Sequence, residues 1–109
     1  LEFTFPDVNV ADAGRFVDDL KQYLQELDKT GQVTIARASV DAMDLGSTLV
    51  LILGTTPVTV MARGLATWII KSGNPAISIK RGKDEITIQS GLSADQKFEL
   101  AMKALETSK

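Results

Sequence analysis

The chain has 109 residues, 44% of them hydrophobic and 24% charged, with a net charge of −2 and neither histidine nor cysteine. This is the size and make-up of one globular domain, residues 1–109, large enough to bury a core without disulfides or a structural metal. The composition excludes Ser-His and Cys-His nucleophile pairs, a histidine general base and nearly every zinc site, and the acidic balance gives no drive toward nucleic acid.

A chain without cysteine fits a reducing cytoplasm, and that is the expected location. No N-terminal stretch has the basic, apolar and small-residue layout of a signal peptide. Because the sequence begins at Leu1, a segment upstream is expected to have been removed. Residues 1–54 hold nine acids against four bases, and 55–109 hold five against eight. Two solvated faces account for this imbalance, although it would also orient a partner or a second copy of the chain.

Glu2 to Phe5 alternates and predicts a short strand, ended by Pro6-Asp7. Asn9 or Asp12 then caps a helix whose apolar stripe is Phe16, Val17, Leu20, Tyr23, Leu24 and Leu27. Asp28-Lys29-Thr30-Gly31 closes it, with Gly31 as the expected left-handed cap. Gln32 to Ser39 alternates Val33, Ile35 and Arg37 against Thr34, Ala36 and Ala38, a strand pattern, and Val40 to Asp44 reads as a loop.

Met43 to Gly73 is the most apolar stretch, and Arg63 is the only charge between Leu45 and Ile70. That length would cross a bilayer, but Gly46-Ser47-Thr48 and Gly54-Thr55-Thr56-Pro57 cut it into shorter pieces, so a membrane role is disfavoured. In the first piece, Leu49 to Leu53 are five consecutive apolar residues, compatible with a buried strand or a buried helix. The Asp44/Gly46/Ser47 start and the Gly54 stop favour a short helix. In the second, Thr56 as N-cap and Pro57 at the first helical position open a helix from Pro57 to Ser72. Val58, Met61, Ala62, Leu65, Trp68 and Ile69 share its apolar face, and Gly73-Asn74-Pro75 ends it.

Ala76 to Lys80 and Glu85 to Gln89 alternate around Arg81-Gly82-Lys83-Asp84, a hairpin pattern with Ile77, Ile79, Ile86 and Ile88 on the core face. Ser93 and Gln96 form a capping box for a last helix from Ala94 to about Glu106, with Phe98, Ala101, Met102 and Leu105 buried. The predicted class is α+β: a small, mainly antiparallel sheet packed with about four helices, in the order β-α-β-α-α-β-β-α.

No group of residues reads as a catalytic, metal or cofactor site. Asp18-Asp19 and Asp41/Asp44 are carboxylate pairs, but a hard-cation loop needs more oxygens at fixed spacing. Gly54-Thr-Thr-Pro opens a helix without the lysine ending of a phosphate loop. Lys80, Arg81 and Lys83 form a basic cluster at a hairpin tip, either for solubility or as a contact for an acidic partner. With so few aromatics the cluster is not a nucleic-acid site. Trp68 lies on an apolar helix face, which favours the core; if exposed it would be the natural anchor for a partner. The candidate partner-binding residues are therefore Trp68, Arg81 and Lys83.

The succession of an amphipathic helix, a strand, Met-x-Leu-Gly, an apolar segment, Gly-Thr-Thr-Pro and a helix ending Ala-x-x-Leu-x-Thr-Trp-Ile resembles the bacterial family called the effector-associated constant component. Leu45-Gly46, Gly54, Ala62, Leu65, Ala66, Trp68 and Ile69 carry the resemblance, which spans roughly Gly14 to Gln89. The final capped helix and the first strand lie outside it. The resemblance implies a non-enzymatic accessory protein of bacterial conflict or immune-like systems, assembling with effector-associated or peptidase partners. An immunity protein capping a basic toxin is the alternative, a membrane-active effector a lesser one, and self-association stays open.

Overall fold

The computed structural model describes residues 1–37 and 47–106. Its elements are β1 (Glu2–Thr4), α1 (Val10–Leu27), β2 (Gln32–Arg37), β3 (Ser47–Ile52), α2 (Val58–Lys71), β4 (Ile77–Arg81), β5 (Asp84–Ile88) and α3 (Ala94–Glu106). The strands make one antiparallel five-stranded sheet in the order β2-β3-β1-β4-β5, so the first strand lies at its centre. Helix α1 packs over β2 and β3, α3 over β4 and β5, and α2 lies between the two other helices. The domain is α+β, as expected.

The alternation of the strands sets the layers. Phe3, Val33, Leu49, Leu51, Ile77, Ile79 and Ile88 are buried beneath the helices. Each fully buried side chain of this size stabilises the fold by roughly 1.5–3 kcal/mol. The other face is mainly polar: one cross-strand row reads Thr34, Val50, Glu2, Lys80, Glu85. An antiparallel sheet with one solvated face has this pattern.

One element differs from expectation. The apolar run Leu49 to Leu53, expected as part of a short helix, is strand β3 through Ile52, and three helices rather than four are present among the described residues. Leu49 and Leu51 point into the core, whereas Val50 and Ile52 lie on the open face and Ile52 is 58% exposed. Apolar residues on both faces hid the alternation from the sequence. Tertiary pairing with β1 and β2 then fixes the strand. The Asp41/Asp44 pair and the Leu45-Gly46 turn lie outside the described residues.

Two helix ends also differ. Asn9, not Asp12, caps α1: the Asp12 amide donates to Asn9 Oδ1 at 2.8 Å. At its other end Asp28 is the C-cap, and Gly31 does not take a positive φ. Gly31 is needed for space, since a Cβ there would meet Ile52 O at 2.7 Å and Gly54 N at 3.1 Å. For α2 the cap residue is Pro57, without a side-chain bond. Thr56 has turned away to Asp28. The glycine stop did form as read, with Gly73 at φ 91° and the Asn74 amide returning to Ile69 O at 2.9 Å. The Ser93/Gln96 box is closed by both of its bonds, at 3.0 and 3.2 Å.

Candidate functional site

The three residues singled out from the sequence sit in different surroundings. Trp68 is 3% exposed. Its ring packs 5.8 Å from Phe5 and 6.1 Å from Phe16, centroid to centroid, and its Nε1–H donates to Asp19 Oδ2 at 2.8 Å. The single tryptophan thus joins α2 to α1 and offers no exposed face as a surface anchor. Arg81 ends β4 half-buried, and its guanidinium donates to Leu105 O at 3.2 Å, satisfying a carbonyl in the last turn of α3. Lys83 is exposed in the β4–β5 turn, where Gly82 at φ 60° supplies the left-handed first position of a two-residue hairpin. Trp68 faces α1 and Arg81 faces α3, so the fold does not bring the two into one patch.

A buried carboxylate that the sequence reading passed over organises the loops. Asp28 is 1% exposed. Its Oδ1 accepts from Thr30 Oγ1 at 2.6 Å, Thr30 N at 3.2 Å and Thr56 Oγ1 at 3.0 Å, and its Oδ2 from Gly54 N at 2.8 Å. Thr30 Oγ1 in turn accepts from Thr55 N at 2.7 Å. Burial alone would raise the Asp28 pKa. The bonds from Thr30, Gly54 and Thr56 outweigh it and hold the carboxyl down at about 2. The carboxylate therefore acts as a fixed acceptor that clamps the end of α1 to the β3–α2 loop. Gly31 and Gly54 make the crossing possible, since a Cβ on Gly54 would meet Gly31 N at 2.5 Å. The sequence signal for this clamp was the pairing of Asp-Lys-Thr-Gly with Gly-Thr-Thr-Pro, two loops whose glycines and hydroxyls fit one another.

A buried cation does similar work in α3. Lys97 is 1% exposed, and its ammonium donates to Leu92 O at 2.8 Å and Ser90 O at 3.1 Å. Nearby, Arg63 on α2 lies 4.7 Å over the Phe98 ring of α3, a cation–π contact between the two helices.

The surface has shallow clefts. One of about 400 Å³ lies between the first half of α1 and the end of α2, lined by Asp12, Arg15, Phe16, Asp19, Lys71 and Ser72. Its charges are mixed: Arg15 pairs with Asp12, and Asp19 holds the Trp68 indole. A smaller apolar hollow on α3 is lined by Leu92, Gln96, Glu99, Leu100 and Lys103. Among the described residues no cluster of acidic side chains is placed to hold a metal, and no helix is long and apolar enough to cross a membrane. No protein family, curated protein or solved structure matches this chain.

Proposed function

We propose that this chain is a non-enzymatic, cytoplasmic protein-interaction component of a bacterial conflict or immune-like effector system, assembling with effector-associated and peptidase partners. The observation that carries the reading is where the resembling residues fall. Ala62, Leu65, Ala66, Trp68 and Ile69 are buried along one side of α2, and Gly54 sits at the Asp28 clamp. These residues of the resemblance thus belong to the scaffold, which suits a component whose role is to hold a shape for a partner. The outer surface supplies Lys83, with Lys80 close by on β4, as the basic contact for that partner.

Affinity purification of the tagged full-length protein from its host, read by mass spectrometry, tests this. A peptidase or effector-associated protein recovered in stable ratio, and lost on Lys83→Glu, is the expected result. Recovery of one toxin whose activity the chain suppresses would favour the immunity reading. Recovery of no partner contradicts both.

A further inference from the structure

We propose that this chain forms a two-fold dimer by pairing the outer edge of β2 with β2 of a second copy, antiparallel through Thr34, giving a continuous ten-stranded sheet. The inference stands independently of the functional reading above.

The two edges of the sheet differ in their protection. Strand β5 opens with Asp84 and Glu85, both exposed, and charges of this kind deter edge-to-edge pairing. Strand β2 carries no charge and no proline from Gln32 to Ala36, and it pairs with β3 in unbroken register from Gln32 to Arg37. Among the described residues no strand lies on its other side. Ile35 points to the core side yet is only half-buried, whereas Leu49, its partner on β3, is fully buried. From Gln32 to Ala36 the edge is uncharged, Arg37 at its end being the one charge of the strand, and among the described residues it is open on its apolar side.

Helix α1 carries a matching flank. Ala13, Val17, Leu20 and Leu24 face the core, and Tyr23 and Leu27 face α2, where a Cβ on Gly64 would touch both. At helical spacing this leaves Val10, Gly14, Asp18 and Lys21 on the flank away from α2, on the side of the β2 edge. Val10 is 57% exposed. Gly14 has no positive φ, and a Cβ there would meet none of the described residues within 4 Å. A mid-helix glycine costs about 1 kcal/mol relative to alanine, and among the described residues no close contact within one copy accounts for it. Close approach of a second helix would.

The spacing agrees. Strands lie roughly 4.8 Å apart, so a helix seated over β2 and β3 lies about 5 Å from an axis midway between β2 and its mate. The two α1 helices would then be roughly 10 Å apart, at the upper end of ordinary helix packing. They would run antiparallel, bringing Asp18 of one copy toward Lys21 of the other. With Thr34 opposite Thr34 on the open face, Val33 falls opposite Ile35 of the second copy and Gln32 opposite its Ala36, so the core side stays continuous across the axis.

Because the chain has no cysteine, a single Thr34→Cys substitution introduces its only thiol. Directly opposed residues of antiparallel strands are about 4.5–5.5 Å apart between Cα atoms, within the range a disulfide spans. Mild oxidation of this variant is expected to give a cross-linked dimer as the main product. Thr87→Cys, exposed on β5 at the far edge, should stay largely monomeric. Sedimentation of the unsubstituted chain should show a concentration-dependent dimer. Thr34→Lys, which sets two like charges on the axis, should weaken it about tenfold or more with circular dichroism unchanged. A chain that sediments as a monomer at every concentration overturns the proposal, as does cross-linking of Thr87→Cys as fast as Thr34→Cys.

Discussion

Among the described residues Asp28 and Lys97 are the two buried charges, equally hidden and neither in an ion pair, yet they hold different amounts of structure. Asp28 collects donors from its own turn and from Gly54 and Thr56, 26 and 28 positions away. Lys97 reaches carbonyls only five and seven positions back. The first therefore ties together elements that are distant in sequence, and the second folds a local loop over its own helix. A buried ion is tolerable when hydrogen bonds replace its water, and the range of those bonds decides how much of the fold depends on it.

Removing the Asp28 carboxylate should have the largest effect. Asp28→Ala leaves the Gly54 and Thr30 amides and two hydroxyls without their acceptor, and each of these four part-buried bonds is worth about 0.5–1.5 kcal/mol. We expect a loss of about 3 kcal/mol or more, read as a lower urea midpoint. The next prediction uses pH. The Asp28 carboxyl titrates at about 2 in the fold, against 3.8 ordinarily. Its contribution is full above pH 4 and is lost as pH falls toward 2, because the unfolded chain takes up the proton first. Urea midpoints measured across that window should fall for the native chain, and Asp28→Asn should lose that part of the slope.

Lys97→Met keeps the apolar stem and removes the ammonium. It frees only two carbonyls beside an exposed loop that water can reach, so about 1 kcal/mol is expected by the same assay. The smallest effect concerns Trp68. Asp19→Asn replaces a charged acceptor of the indole N–H with a neutral one, at a cost of under about 1 kcal/mol. A shift in the emission of the lone tryptophan should accompany it. Equal losses for Asp28→Ala and Lys97→Met would erase the distinction between the two ions.

Sequence reading reached most of the architecture because local chemistry fixed it. The stripe of α1, the alternation of the Ile77 to Ile88 hairpin, the Gly73 stop and the Ser93/Gln96 box each depend on residues a few positions apart. It misread β3 because Val50 and Ile52 are apolar on the open face and mask the period of two. It placed Gly31 as a helix cap because close approach to Ile52 and Gly54 is a long-range fact. For the same reason Asp28 looked like turn punctuation and Thr56 like a helix cap: their bond joins loops that only the folded chain brings together. In α3 nothing in the sequence marks Lys97 as buried, since a lysine is ordinarily exposed and only the folded loop brings the Ser90 and Leu92 carbonyls to its ammonium. Of the partner-binding residues, the core position favoured for Trp68 was legible from helical spacing. The use of Arg81 at the end of α3 was not, since Leu105 lies 24 residues on.

The most direct measurement is native-state hydrogen exchange at the Gly54 amide, compared between the native chain, Asp28→Asn and Lys97→Met. Strong protection is expected in the native chain, loss of it in Asp28→Asn, and protection close to native in Lys97→Met. A Gly54 amide that exchanges as fast in the native chain as in Asp28→Asn would show that the carboxylate does not hold the two loops together.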